Sequence, residues 1–211
     1  MEMKRVLRIM LVLTSVGSAH PQESSTVRHA DVYSIYSILM TGVSGFEGTD
    51  ATYAIAGYTK PPMGRFPLMT YPCIEPPSSY GSRWTEVLAD FNARIDKPSA
   101  LSRDLTISKP YMLITAAEVA AFQAARMSAG LPLRDGVTPP ASLPLDAKFQ
   151  STKHIFFLSD VYFSTDGTLA LTGIANWCAG LCASGQWKIH EKNSAGRWVE
   201  VLPAKNCRVE A

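Results

Sequence analysis

The 211-residue chain lacks the features of fibrous, repeat and membrane-spanning proteins. It has no run of roughly eighteen apolar residues, the length that a membrane-spanning helix needs. Glycine shows no three-residue period, and no heptads or long internal repeats occur, which excludes collagen-like, coiled-coil and solenoid architectures. Because 46% of the residues are hydrophobic and only 18% are charged, a disordered chain is excluded as well. The composition therefore predicts one soluble, mixed domain.

The sequence also lacks the signatures of common catalytic and cofactor sites. It contains no G-x-S-x-G nucleophile elbow and no S-x-x-K motif. It contains no P-loop, no G-x-G-x-x-G fingerprint and no H-E-x-x-H zinc motif. No cofactor and no metal site are therefore predicted.

Residues 1–19 have the layout of a secretory signal peptide. Lys4, Arg5 and Arg8 precede a short apolar run, Ile9–Val16, and the small residues Gly17–Ala19 follow it. The apolar run is too short for a permanent membrane anchor. The alternative is a buried amphipathic first helix, which three cations ahead of the run disfavour. We expect cleavage after residue 19 and a secreted or periplasmic domain over residues 20–211.

An excess of one charge is also absent from the expected mature chain. The whole sequence has 20 basic and 18 acidic residues, and residues 1–19 hold three of the bases and one of the acids. The remainder therefore carries 17 of each and no net charge. Such a balance gives no long-range attraction to nucleic acid or anionic lipid, so no nucleic-acid partner is predicted.

The four cysteines are expected to form disulfides in an oxidising compartment. Three pairings are open, and we favour Cys178–Cys182 and Cys73–Cys207 because only Ala-Gly-Leu separates the first two in a predicted hairpin loop. A redox pair with C-x-x-C spacing and a metal site are the alternatives, but three residues intervene here and no histidine spacing supports zinc.

The first two thirds of the chain alternate helical and strand patterns with proline-rich loops. Helices are predicted over 25–40, 82–96 and 116–127, and strands over 52–58 and 111–114. Thr115 and Glu118 have capping-box spacing at the start of the third helix. Six of the fourteen prolines fall within 60–80, and 130–144 is a second proline-bearing connector, so both segments are predicted loops.

The last third predicts consecutive strands over 155–164, 168–177, 186–191 and 198–202. Asp166-Gly167 and the turn at 193–196 give short connections, which favour antiparallel neighbours. The predicted fold is therefore α+β, with N-terminal helices packed on a C-terminal four-stranded antiparallel meander.

Five short segments mark the C-terminal third of the chain: Leu158–Phe163, Asp166-Gly167, Ala170-Leu171, Cys178–Gly185 and Gly196–Trp198. Together they resemble the corresponding series in a group of uncharacterised bacterial exported proteins. In that group glycine is expected where this chain has Ala179, and a basic residue is common where it has Asp160. The resemblance implies export and an α+β fold, and it implies no activity and no catalytic residue.

Two sets of residues are candidates for function. His154, Asp160 and His190 fall within the predicted meander, where a shared sheet face would bring a base and a carboxylate together, but ordinary sheet residues are the alternative. Trp177, Trp187 and Trp198 would either line a binding groove or fill the core.

The sequence favours a non-enzymatic domain that binds a small ligand or a partner in the envelope or extracellular space. The expected surface is the loop Cys178–Gly185 together with the proline-rich segment 60–80, since rigid loops lose little entropy on binding. The alternative is an envelope or extracellular hydrolase that uses His154, Asp160 or His190. A purely structural envelope component is the third possibility.

Overall fold

The computed structural model describes residues 25–42, 52–61, 74–130, 147–149, 152–179, 182–205 and 208–210. Within them lie three α-helices: α1 (Ser25–Thr41), α2 (Gly81–Arg94) and α3 (Ala116–Gly130). The eight described strands are β1 (Tyr53–Ala56), β2 (Tyr111–Ile114), β3 (Ile155–Leu158), β4 (Tyr162–Phe163), β5 (Leu169–Ala179), β6 (Cys182–Lys192), β7 (Trp198–Val201) and β8 (Arg208–Glu210). Two short 3-10 helices cover Ser78–Tyr80 and Ala147–Phe149.

All eight strands belong to one mixed sheet. Its main order is β2-β1-β3-β5-β6-β7, with β4 paired to β5 and β8 paired to β6. Strand β1 lies between β2 and β3 and is parallel to both, whereas the remaining pairs are antiparallel. The predicted class, α+β, agrees with this architecture.

The prediction of a four-stranded antiparallel meander is wrong. The predicted strand 155–164 is divided into β3 and β4, and the sheet continues beyond β3 through the parallel strands β1 and β2. Strand β8 was missed. The sequence identified the antiparallel neighbours because short turns join them. No local signal connects β1 to its partners, since Tyr53 pairs with Tyr111, 58 residues away, and Ala54 pairs with Ile155, 101 residues away.

The sheet is covered on both faces, which divides the core into three clusters. Helix α1 packs on one face, where Tyr36, Leu39 and Met40 contact a cluster that includes Phe156 and Leu158. Helix α3 covers the other face over β1 and β3. Helix α2 lies on that same face over β4, β5 and β6. Every residue of β1 and β3 is buried, as expected for strands enclosed by helices on both sides.

Several local predictions are confirmed. Glu118 accepts a hydrogen bond from the backbone N–H of Thr115 at 2.7 Å, and its own N–H donates to the Thr115 hydroxyl at 3.2 Å, which is a capping box. Gly167 and Gly196 have positive φ values of 65° and 72°, which explains why glycine ends each of the two predicted turns. None of the helices in the described ranges is both long and apolar enough to cross a membrane.

Several predictions lie wholly or partly outside the described residues. These are the signal peptide, most of the loops 60–80 and 130–144, and the positions of Cys73 and Cys207. The backbone of Cys178 lies in β5 and that of Cys182 begins β6, with Ala179 paired to Cys182 across the hairpin. The cysteine pairing itself stays a prediction.

Candidate functional site

A break between β3 and β4 positions the buried carboxylate of Asp160. Leu158 pairs with Ile174 and Tyr162 pairs with Leu171, so three residues on one strand face two on the other, which is a β-bulge. The Ser159 hydroxyl accepts a hydrogen bond from the backbone N–H of Gly173 at 2.7 Å. The bulge interrupts the side-chain alternation and places Asp160 in a cavity between the sheet and α1.

Tyr36 of α1 binds this bulge through its hydroxyl and lines the same cavity as Asp160. Its hydroxyl donates a hydrogen bond to the backbone carbonyl of Ser159 at 2.8 Å, and the ring is fully buried. Burial, followed by the charge of Asp160, raises the pKa of Tyr36 well above its ordinary value, so the hydroxyl keeps its proton and remains a donor.

Replacing Tyr36 with phenylalanine is expected to lower the free energy of unfolding by about 1–3 kcal/mol, because the buried carbonyl of Ser159 loses its donor. Urea denaturation of both proteins measures this loss. The matched control is Tyr111→Phe. Tyr111 is partly buried against the same hydrophobic cluster as Tyr36, and its hydroxyl makes no hydrogen bond within the described residues. Equal stability losses in the two variants would contradict the role assigned to Tyr36.

A cation and two carboxylates meet beside the bulge. The Arg94 guanidinium donates to both carboxylate oxygens of Asp90, from Nε at 2.7 Å and from Nη2 at 2.6 Å, and Nη2 also donates to the carbonyl of Val161 at 2.6 Å. Asp90 also accepts the backbone N–H of Phe163 at 2.9 Å. Burial raises the pKa of Asp90, but these bonds from Arg94 and Phe163 outweigh it and leave the pKa below its ordinary value.

Asp160 is held less tightly than Asp90. Its side chain is only 10% exposed, yet its Oδ2 lies 3.4 Å from both Arg94 Nη1 and the Ser99 hydroxyl. Thr59 supplies a further side-chain hydrogen bond. Burial raises the pKa of Asp160, and Arg94, Thr59 and Ser99 offset only part of that effect, so the net shift is upward. The carboxylate is therefore buried with incomplete compensation.

The cavity that contains Asp160 has a volume of about 360 Å³. Helix α1, the end of α2, the segment 99–102 and the β3–β4 bulge enclose it. Much of its wall is apolar or aromatic, from Val32, Tyr33, Leu101, Val161 and Phe163. A cavity of this size, with an apolar wall and a few convergent polar groups, has the character of a small-molecule site.

Helix α1 also forms part of the walls of two neighbouring depressions, but the carboxylates in those depressions already accept short hydrogen bonds. A cleft of about 480 Å³ includes Asp31 and Asp166. Asp31 accepts hydrogen bonds from Lys192 and from the Trp198 indole N–H at 2.8 Å each. Asp166 accepts a hydrogen bond from the Ser164 hydroxyl at 2.6 Å. A wider depression of about 920 Å³ includes Glu200, which accepts from Lys188 at 2.5 Å. Asp160 differs from these carboxylates in having only long contacts to its cation and to Ser99.

The structure does not join His190 to the other members of the predicted His/Asp set. His190 is fully buried in β6, and neither ring nitrogen has a hydrogen-bond partner among the residues that the structure describes. The ring of His154 lies 6.3 Å from that of Phe156, before β3 begins. Asp160 forms the contacts to Arg94, Ser99 and Thr59 described above. The base-to-carboxylate hydrogen bond that a triad requires is therefore not made by His190.

The three candidate tryptophans lie in three separate clusters. Trp198 packs beneath α1, Trp187 packs with Phe91 of α2, and Trp177 contacts Phe122 of α3 at 6.0 Å between ring centres. Trp187 and Trp198 are each 5% exposed. These rings therefore do not line one groove, and two of them are core residues.

Sequence reasoning missed a contact among His29, Ser102 and Asp104. His29 Nε2 lies 3.4 Å from both the Ser102 hydroxyl and the Asp104 carboxylate, and that hydroxyl donates to Asp104. A catalytic triad needs the serine and the carboxylate on different ring nitrogens. Here one nitrogen faces both, so the three residues fasten the loop after α2 to α1.

Sequence reasoning also missed Arg94, Asp90 and Tyr36. The four-residue spacing of Asp90 and Arg94 was a visible signal for a helical ion pair. Nothing local indicated Tyr36, because its partner Ser159 lies 123 residues away.

Among the residues that the structure describes, no three His, Cys, Asp or Glu side chains are grouped to hold a metal ion. Comparison of the chain with models of known protein families, with curated proteins and with solved structures finds no match.

Proposed function

We propose that this chain is a non-enzymatic ligand-binding domain that acts outside the cytosol, and that its ligand occupies the Asp160 cavity. The observation that carries the proposal is a nine-tenths buried carboxylate that faces a cavity of about 360 Å³ and is incompletely compensated there. Burying a charge is costly unless it is fully paired, and such groups concentrate at functional sites.

The construction of the cavity supports the same proposal. The Tyr36–Ser159 hydrogen bond fixes the bulge, and the Asp90–Arg94 pair fixes the adjacent wall. A site held in this way loses little entropy when a ligand binds. Export is supported by the charged and apolar pattern of residues 1–19 and by the even number of cysteines.

A thermal-shift screen of small cationic, neutral and anionic compounds tests the site. At least one compound is expected to bind and raise Tm, with a stabilisation of about 2.7 kcal/mol when its concentration is a hundred times Kd. Val32→Trp, which places an indole in the cavity wall, is expected to abolish that shift.

The matched control is Val199→Trp, on the exposed side of β7 and outside the cavity lining. It is expected to bind like the unaltered protein. The proposal fails if no compound binds, or if every compound that binds does so equally well in folded Val32→Trp protein.

A further inference from the structure

The N–H groups of Arg94 are largely committed. Its Nε donates to Asp90, its Nη2 donates to Asp90 and to the Val161 carbonyl, and its Nη1 lies 3.4 Å from Asp160. A guanidinium has five N–H donors, so about one remains for a ligand. Arg94 is therefore a poor receptor for an anion, since its strongest bonds are made inside the protein.

Asp160, unlike Arg94, is only weakly engaged by its cationic and hydroxyl neighbours. Its contacts to Arg94 and Ser99 are both 3.4 Å, whereas charge-assisted hydrogen bonds to carboxylates measure about 2.7–2.9 Å. A carboxylate offers about four acceptor sites, and these two long contacts, with Thr59 as a further side-chain partner, leave part of that capacity unused. Because the charge of Arg94 is neutralised mainly by Asp90, the buried group of Asp90, Arg94 and Asp160 retains an excess negative charge on Asp160.

The cavity walls complement a cation that has an apolar body. The hydroxyl of Tyr33 accepts the backbone N–H of Ser102 at 2.5 Å, and that of Tyr36 donates to the carbonyl of Ser159 at 2.8 Å. The rings of Tyr33 and Tyr36, together with Phe163, on which Arg28 already stacks, form an apolar and aromatic part of the wall, and such rings attract cations.

The cation at the rim does not cancel this preference. Arg28 lines the cavity but its side chain is 54% exposed, lies 3.6 Å from Asp90 and stacks over the Phe163 ring. An exposed charge that is already paired is screened by solvent. Asp160, deeper in the cavity, interacts with a ligand through a less polar medium.

We propose that the ligand is a small organic cation, an ammonium or similar donor on an apolar body, which binds with its charge against the Asp160 carboxylate. This inference rests on the proposed function, because it assumes that the cavity is the binding site.

Three compounds of nearly equal shape test the inference by calorimetric titration at neutral pH: 2-phenylethylamine, 2-phenylethanol and 3-phenylpropionate. A hydrogen bond to a buried charge implies that the amine binds about 10–100-fold more tightly than the alcohol. The carboxylate compound is expected to bind most weakly of the three. This comparison uses the unaltered mature protein and depends on no variant.

Asp160→Asn keeps the shape of the side chain and removes its charge. The amine is expected to lose most of its advantage in this variant, while the affinity of the alcohol stays within about threefold, since its contacts are apolar. Glu75→Gln is the matched control, because that carboxylate is 64% exposed and lies outside the cavity lining. It is expected to preserve the preference for the amine.

The outcomes separate the two proposals. If the alcohol or the carboxylate compound binds as tightly as the amine and Val32→Trp abolishes that binding, the cavity is a ligand site but its ligand is not a cation. Amine binding that survives unchanged in folded Asp160→Asn protein overturns the inference. If no member of the series binds, the inference fails, and the broader screen decides the proposed function by itself.

Discussion

Acidification from about pH 7.5 to pH 4 is expected to remove about 3 kcal/mol of folding stability through His190 alone. Burial, with a smaller contribution from Lys188, lowers the pKa of this imidazole from 6.5 to about 4. Well above pH 6.5 the ring is neutral in both states and contributes no pH dependence. As the pH falls from 6.5 to 4, the unfolded chain binds the proton and the folded chain does not, so stability decreases over that window.

The surroundings of His190 explain why the folded state rejects the proton. Within the described part of the chain the ring has no hydrogen-bond partner, and its strand neighbours Lys188 and Lys192 lie on the same sheet face. Ala170 is opposite on β5, and Glu200 is opposite on β7 but bonded to Lys188 at 2.5 Å. Helix α1 covers this face and brings Asp31, which is bonded to Lys192. Among the described residues, no carboxylate is left to pair with an imidazolium at this buried position.

Urea denaturation at several pH values, for the unaltered protein and for His190→Leu, measures the effect. The variant should match or exceed the original stability near pH 7.5, because leucine has no polar group to desolvate. It should be more stable by a further ~2 kcal/mol at pH 5. His29→Leu, at a half-exposed position on α1, is the control for loss of an imidazole. Parallel pH curves for His190→Leu and the original protein would rule out this effect.

Replacing Asp90 with alanine is expected to cost about 3 kcal/mol, since one partner of a partly buried ion pair is lost while the other stays in place. Arg94 would lose both of its shortest carboxylate contacts, and the backbone N–H of Phe163 would lose its acceptor. The damage falls where α2 meets β4, beside the Asp160 cavity. If the proposed function holds, amine binding should therefore weaken together with stability.

Chemical denaturation measures the stability loss. The variant Asp90→Asn separates the contribution of the charge from that of the hydrogen bonds. The amide retains an acceptor for Phe163 and Arg94 but no charge, so a smaller loss is expected than with alanine. Asp104→Ala removes a carboxylate that is 54% exposed and should cost under about 1 kcal/mol. A loss from Asp90→Ala no larger than that from Asp104→Ala would show that the pair contributes little to the fold.

The elements that the sequence predicted are those with local causes. The helix at Ala116 begins at a capping box that involves Thr115 and Glu118, three residues apart. The turns at Gly167 and Gly196 require a backbone conformation that glycine adopts easily. Alternating apolar residues over 168–177 predicted most of β5. In each case the residues that determine the structure lie within one turn or one strand.

The parts that were missed depend on distant partners. The parallel pairing of β1 with β2 and β3 leaves only a run of buried residues, which does not identify its neighbours. Asp160 was a candidate, but its companions Tyr36 and Arg94 are 124 and 66 residues away. His190 was predicted as a possible base, and only the structure places it in a buried position, beside Lys188, that lowers its pKa.

The long β5–β6 hairpin has a consequence for the order in which the chain assembles. Its register runs from Leu169 with Glu191 to Ala179 with Cys182, so all its contacts join residues close in sequence. Helix α1 instead meets the sheet through Tyr36–Ser159 and Asp31–Trp198, contacts that close loops of 123 and 167 residues. Because closing long loops costs more entropy, the hairpin is expected to form early and α1 to dock late. A nascent chain would thus complete the Asp160 cavity, which α1 helps to enclose, only in the final stage of folding, after the whole sheet has been synthesised.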